Sequence, residues 1–495
     1  MRRLLPVVIT ATLAVTLPAA GQAAPDPFGD QVLAWGPCTD IPDSEPLECS
    51  AFSAPRDWNR PHDGNRITIA ISRLKSPTRH ARSLLTNPGG PGEPGRTMPL
   101  FLATRAKLAD NVEIVGIDVR GTGASTNVTC GGFVFPDFPV DPRDRSPRNV
   151  DLIYDAAEFQ AKTCQTLSGD FGKYVDTEQT VKDLDLLRRL LGRDRIDWLG
   201  GSGGSWLGAH YSAYFPGHVG RFVLDANVDF SRTWQDTFGE LAMAFERRLV
   251  TDYLPWVAKY DSVYHLGATP EAVRARYESV RARLATGGPL TIVELDGLVA
   301  RILYGKSLFP QGTELLARVV AAVEGQGAAV PGVTAFARYA DAGNALFYSI
   351  ICNDTRYVGG RAELAARAEE RGRKYPFVGY HQISAPCAFW HRTPLKLRKP
   401  TGKGAPPILL VQSERDPATP IEGARRAHAS LAGSRLVTVV DDGDHGVYGS
   451  GNRCVDDIVE SFVVDGVTPD RDLTCAATPL PTPGTTAGIP LVARR

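Results

Sequence analysis

The stretch Ile196-Asp197-Trp198-Leu199-Gly200-Gly201-Ser202-Gly203-Gly204-Ser205-Trp206-Leu207-Gly208 constrains this chain more than any other. It reads as a short apolar strand, a very tight turn and then a helix. The turn contains G-x-S-x-G, as Gly200-Gly201-Ser202-Gly203-Gly204. A serine at the apex of such a turn is forced outward with its hydroxyl exposed. Flanking glycines fit because a side chain there would meet the neighbouring strand or helix. A Gly/Ser-rich loop can match the same five positions by chance, so the surroundings decide. Leucines at 184, 187 and 191 share one face, which predicts a helix over 181–191. Residues 207–215 continue as a helix until Pro216 stops it, and Arg221-Phe222-Val223-Leu224-Asp225 reads as another buried strand. Helix, strand, turn, helix, strand is the setting in which an exposed serine becomes a nucleophile.

A serine nucleophile needs a base, and the base needs an acid. On a scaffold of this kind the chain order is Ser, then Asp or Glu, then His. Ser202, Asp416 and His445 occur in that order. Asp416 follows the strand Ile408-Leu409-Leu410-Val411-Gln412, and His445 follows the strand Leu436-Val437-Thr438-Val439-Val440. His428 falls within an amphipathic helix over 421–431 and reads as surface or packing. Glu414 is the rival acid, but Asp416 lies deeper in the loop and precedes a turn proline. The short strand Ser83-Leu84-Leu85-Thr86 runs into Asn87-Pro88-Gly89-Gly90-Pro91-Gly92, which can only be a tight loop. Read functionally, it is an oxyanion loop: N–H groups of Gly89 or Gly90, with that of Gly203, would face a developing alkoxide.

Other strands are expected over 66–72 and 112–117. The second ends in Asp118-Val119-Arg120-Gly121-Thr122-Gly123-Ala124-Ser125, which lacks the third glycine and helix of a dinucleotide fingerprint. A charge-assisted pair between Asp118 and Arg120 is expected to lock this loop against the serine turn. From 227 to 400 the pattern turns helical, with amphipathic segments over 237–258, 270–286, 290–304 and 313–324. Thr269-Pro270 is an N-cap followed by proline at the first helical position, and Thr291-x-x-Glu294 matches a capping box. This block interrupts a strand-and-helix pattern. It is read as a cap over the active edge of a doubly wound, mostly parallel sheet with helices on both faces. The alternative is a separate helical domain.

The expected organisation is therefore a signal peptide over 1–24, a first part of the core over 25–226, the cap over 227–400, the rest of the core over 401–475 and a disordered tail over 476–495. Arg2-Arg3 followed by an apolar run to Leu17, with small residues near Ala23-Ala24, is a secretory signal. The run is too short for a stable membrane anchor, and no other stretch reaches about 18 apolar residues. All eight cysteines lie beyond it: Cys38, Cys49, Cys130, Cys164, Cys352, Cys387, Cys454 and Cys475. In an exported chain they read as disulfides. Many pairings are open, and the simplest joins sequence neighbours: Cys38 with Cys49, Cys130 with Cys164, Cys352 with Cys387 and Cys454 with Cys475. Without C-x-x-C or H-E-x-x-H a zinc site is not indicated, and the reaction needs no metal or organic cofactor. Lys+Arg and Asp+Glu balance at 55 each, so no net field favours nucleic acid. The chain is expected to be secreted and monomeric.

Together these motifs resemble a known family, the secreted actinomycete tripeptidyl aminopeptidases, related to prolyl aminopeptidases of the α/β-hydrolase fold. The resemblance runs through Trp35-Gly36-Pro37-Cys38, Asn87-Pro88-Gly89-Gly90-Pro91-Gly92, Asp118-x-Arg120-Gly121-x-Gly123-x-Ser125 and the Ser202 turn. It continues through Cys352-Asn353-Asp354, Pro386-Cys387-Ala388-Phe389-Trp390, Arg415-Asp416-Pro417-Ala418-Thr419-Pro420 and Gly443-Asp444-His445-Gly446-Val447-Tyr448. The chain departs from the family at Gly203, where relatives often carry tyrosine, and at Glu93-Pro94, where they often continue with glycine and serine. The resemblance implies a serine exopeptidase that releases short peptides, tripeptides in this family, from a free N-terminus. Such an enzyme needs a carboxylate near the substrate ammonium. Asp354, at a cap junction that a Cys352–Cys387 bridge would stiffen, is the expected anchor, and Glu240 the second candidate. A secreted carboxylesterase or lipase would use the same triad without an anchor. A non-catalytic binding protein on the same scaffold would need no triad.

Overall fold

The computed structural model describes residues 26–133, 140–325, 341–392 and 395–485. The predicted signal segment lies outside them. One ten-stranded sheet organises the chain: β1 (Gly36–Pro37), β2 (Glu48–Pro55), β3 (Arg66–Leu74), β4 (Arg82–Asn87), β5 (Val112–Asp118), β6 (Ile196–Gly201), β7 (Val219–Asp225), β8 (Ile408–Ser413), β9 (Arg435–Val440) and β10 (Leu473–Ala476). Their order across the sheet is β1-β2-β3-β5-β4-β6-β7-β8-β9-β10. From β5 to β10 every neighbouring pair is parallel, whereas β1, β2 and β3 join antiparallel at one edge.

The central strands are apolar without interruption because both faces are covered. Successive side chains point to opposite faces. Thus Leu85, Trp198, Leu224 and Leu410 enter one buried layer, and Leu84, Leu199, Val223 and Leu409 enter the other. Between β7 and β8 the described chain is helical. The helices Trp234–Arg248, Pro270–Leu284, Ile292–Leu303 and Phe309–Val323 contribute to an apolar cluster of their own. Thr269 caps the second through the Ala272 N–H, and Thr291 and Glu294 form the expected box on the third.

Strands β1 and β2 stand at one edge, where the register of β2 against β3 buries Phe52 and Ala54. At the other edge β10 pairs parallel with β9 and carries Cys475, bonded to Cys454. One expectation is corrected. The start of the presumed tail is tied down, since Ala477 N–H donates to Val440 O (3.1 Å) and Trp256 Nε1–H to Pro481 O (2.7 Å).

The eight cysteines form four bridges between sequence neighbours. Cys38 and Cys49 join the β1 end to β2, whose residue Cys49 is in register with Gly36. Cys130 and Cys164 tie the loop after β5 to the long helix Pro147–Gly172, and both are buried. Cys352 is bonded to Cys387, and Cys454 to Cys475.

Candidate active site

Strands β4 and β6 are parallel neighbours, with Asn87 in register with Gly200. Their C-terminal ends therefore deliver the Asn87–Gly92 loop and the Ser202 turn side by side, at the edge where open α/β sheets bind ligands. Ser202 sits at φ 52°, ψ −121°, a conformation that a non-glycine residue adopts only when its surroundings force it. The forcing groups are visible. Ser202 N–H donates to Asp225 O of β7 (2.9 Å), and the Gly203–Tyr214 helix starts at the next residue. Gly89 has φ +102°, and a Cβ there would lie 2.3 Å from Gly201 O and 2.7 Å from Gly203 N. No side chain fits between these two loops. The Gly89-Gly90 backbone and Gly203 thus meet beside Ser202, as an oxyanion hole requires.

Asp416 and His445 leave the adjacent strands β8 and β9. His445 Nδ1 lies 2.9 Å from both carboxylate oxygens of Asp416, and both residues are buried. That contact places the imidazole proton on Nδ1 and leaves Nε2 as an acceptor. The rest of the Asp416 carboxylate is also occupied: Ala418 N–H and Thr419 N–H donate to Oδ1, both at 2.8 Å, and Thr419 Oγ1 donates to Oδ2 at 2.7 Å. The rival Glu414 instead accepts from Asp441 N–H at 2.9 Å.

The histidine loop is fixed from two sides. Asp225, whose carbonyl holds Ser202, accepts from Val447 N–H and Tyr448 N–H through one carboxylate oxygen, both at 2.8 Å. One residue therefore ties the serine turn to the histidine loop, and burial pushes its carboxyl up to about 6. From the cap, Tyr304 O accepts from His445 N–H (2.7 Å), and the Tyr304 ring stands edge-on to the imidazole at 5.1 Å between centroids. Ser202, Gly90, Tyr304 and Thr419 all line one cleft of about 930 Å3, whose walls include Trp234, Phe238 and Phe347. This size admits several residues of a peptide. Sequence reading missed Thr419 and Tyr304. The first had a signal, since a hydroxyl three residues after an aspartate is placed to close a turn on it; the second had none.

Residues 83–259 match the α/β hydrolase fold family and residues 375–475 match the TAP-like protein family. A tripeptidyl aminopeptidase of Streptomyces coelicolor is 35% identical over 463 residues, which is 88% of this chain and 85% of the relative. The chain belongs to the tripeptidyl aminopeptidase family of α/β hydrolases. Serine protease Hip1 of Mycobacterium bovis is 27% identical, with 91% of this chain and 92% of that protein covered. Carboxylesterase B of Mycobacterium tuberculosis is also 27% identical, at 93% coverage of each.

Two details of this family member differ from what its sequence led us to expect. Asp118 and Arg120 do not pair with each other. Asp118 accepts from the backbone N–H groups of Gly95, Arg96 and Ala124, whereas Arg120 forms two 2.7 Å bonds to Asp183. Asp354 does not line the cleft. It is buried, with Thr177 N–H on Oδ1 (2.8 Å) and Thr177 Oγ1, Trp206 Nε1 and Trp234 Nε1 around Oδ2 (2.7, 3.2 and 3.3 Å). The Cys352–Cys387 bridge forms, but the carboxylate is turned inward. Glu240 does line the cleft, where Arg232 (2.8 Å) and Arg426 (2.6 Å) already pair with it.

Proposed function

We propose that the protein is a secreted serine exopeptidase that releases short peptides, tripeptides in the first instance, from the free N-terminus of a peptide through an acyl-enzyme. The observation that carries this reading is a base held by its acid, His445 on Asp416, at the same sheet edge as a strained serine packed against a glycine loop. Ser202 Oγ attacks the scissile carbonyl, and His445 Nε2 takes its proton and passes it to the leaving amine. Asp416 keeps the imidazole in the required tautomer and stabilises the imidazolium. The N–H groups of Gly203 and of Gly89 or Gly90 receive the oxyanion. Water then attacks the acyl-enzyme by the same route in reverse. Of the two anchor candidates only Glu240 reaches the cleft, so the substrate ammonium would join its network with Arg232 and Arg426. Four disulfides support an oxidising destination. No helix among the described residues is long and apolar enough to cross a membrane.

A carboxylesterase with the same triad is the second reading. It is favoured by the pairing of Glu240 with two arginines, which leaves a substrate ammonium a weaker partner. Mass spectrometry of the products from one peptide with a free and with an acetylated N-terminus separates the two. Tripeptides from the free form and none from the acetylated form support the exopeptidase. Ester cleavage with neither peptide cut supports the esterase.

A further inference from the structure

Arg356, Arg367 and Arg371 line the cleft. Its other charged residues largely neutralise one another. Arg232 pairs with Asp236 and Glu240, Asp296 pairs with Arg281 and His381, and Glu294 closes the capping box at Thr291. The three arginines differ. Among the described residues none forms an ion pair with a carboxylate, and the one hydrogen bond they donate is from Arg367 Nη1 to Val358 O at 3.2 Å. Glu363 feels the charge of Arg367, and Glu370 that of Arg371, but neither makes a salt bridge.

Arg371 is the most telling of the three. It projects from the Arg361–Lys374 helix beside Tyr357 and Tyr154, and its guanidinium is half-buried without an anion. Burial disfavours its charge, and the like charge of Arg367 adds to this. An ion left so is costly to a fold unless something else pairs with it. A guanidinium presents a planar fork that matches a carboxylate in two parallel hydrogen bonds.

Arg371 Nη1 lies 3.7 Å from where a Cβ on Gly239 would stand, one residue before Glu240, so these arginines and the Glu240 network border the same stretch of the cleft.

We propose that Arg371, flanked by Arg367 and Arg356, is a subsite for a carboxylate of the peptide substrate. The carboxylate is either an Asp or Glu side chain or the C-terminus of a short peptide. The proposal rests on the peptidase reading above. The test uses the full chain and a peptide series with a free N-terminus and a fixed cleavage site. Glu or Gln is placed in turn at each position before and after that site in C-terminally amidated peptides, and short peptides are compared as acid and amide. The expected ratio of kcat/KM, acid over neutral, is about tenfold at one position or at the C-terminus. It should fall to near one in R371Q and part of the way in R367Q. A ratio near one throughout the series, or one that R371Q leaves intact, overturns the subsite. If R371Q does not fold, the exposed R367Q decides: an unchanged ratio overturns the subsite and a reduced one supports it. If no peptide is cleaved while a small ester is, the peptidase reading has failed by itself. The subsite is then read from inhibition of ester hydrolysis, where the Glu peptide should bind about tenfold more tightly than the Gln peptide, and equal inhibition overturns it.

Discussion

Lys306 of the cap reaches Asp444 of the core twice, with Nζ 3.1 Å from Oδ2 and its backbone N–H donating to Oδ1 at 2.7 Å. Asp444 directly precedes His445, so the cap holds the histidine loop by charge as well as through Tyr304. Arg248 Nη2 adds a 2.9 Å bond to the same oxygen, and Lys306 Nζ also pairs with Asp442. Burial and Asp442 raise the Asp444 carboxyl, while Lys306 and Arg248 draw it down. Removing one partner from a buried pair costs about 3–5 kcal/mol. We expect K306M to lower the melting temperature and to reduce kcat on a small ester by about tenfold or more, with KM changed much less. A misplaced base slows the chemical step even where binding persists. Unchanged melting temperature and kcat would show that the Lys306 charge does not position His445.

The triad variants test the mechanism directly. In a comparable serine hydrolase, loss of the nucleophile costs about a millionfold and Asp to Asn about ten thousandfold. S202A and H445A should therefore be inactive and D416N nearly so, on esters and peptides alike. E414Q should stay within a few-fold of the parent, because Glu414 faces Asp441 N–H and not His445. Steady-state rates of the four variants decide the matter. An inactive E414Q beside an active D416N would exchange the two acids.

Gly89 offers a separate test of the oxyanion loop. A methyl group there would meet Gly201 O at 2.3 Å on a residue with φ +102°. G89A must push the loop away from Gly203 N–H. Loss of one oxyanion donor costs about a hundred- to a thousandfold in kcat. We expect G89A to fall in that range with a melting temperature close to that of the parent. A kcat within a few-fold of the parent would place the hole elsewhere.

The Asp416–His445 contact and the Ser202 turn were legible because each of these residues follows an apolar strand, and an apolar run with a polar residue at its end leaves little choice of location. Helix caps such as Thr291 and Glu294 were legible because both partners lie within four residues. Asp118, Arg120 and Asp354 were not, because their partners come from distant parts of the chain. The position after a strand tells that Arg120 is near the sheet edge, but nothing in its neighbourhood points to Asp183. Asp354 failed for a sharper reason. A side chain at the end of the Asp341–Asp354 helix can face the cleft or the core, and two tryptophans and a threonine draw it to the core. Strands β1, β2 and β10 were missed because edge strands lack the continuous apolar run of central ones.

The inward carboxylate of Asp354 makes a pH-dependent prediction. Burial pushes Asp354 up to about 7 and the neighbouring Asp176 up to about 6, and the charge of Asp176 raises Asp354 further. In the unfolded chain an aspartate titrates near about 3.9. Between roughly pH 4 and pH 7 the folded protein therefore holds protons that the unfolded chain has released. Stability from these groups is fully present below the unfolded pKa and is lost as the pH rises through the folded one. Asparagine at 354 keeps an acceptor for Thr177 N–H and cannot ionise. The melting temperature of D354N minus that of the parent should therefore rise between pH 5 and pH 8. Its absolute offset reflects whatever hydrogen bonds the amide loses to Trp206 and Trp234, and that part does not change with pH. A difference that stays flat, or falls, would show that the four donors keep the carboxylate charged at neutral pH. The same variant separates this role from substrate binding: activity on free-amine peptides and on a small ester should change by the same factor, and selective loss on the peptides would return Asp354 to the cleft.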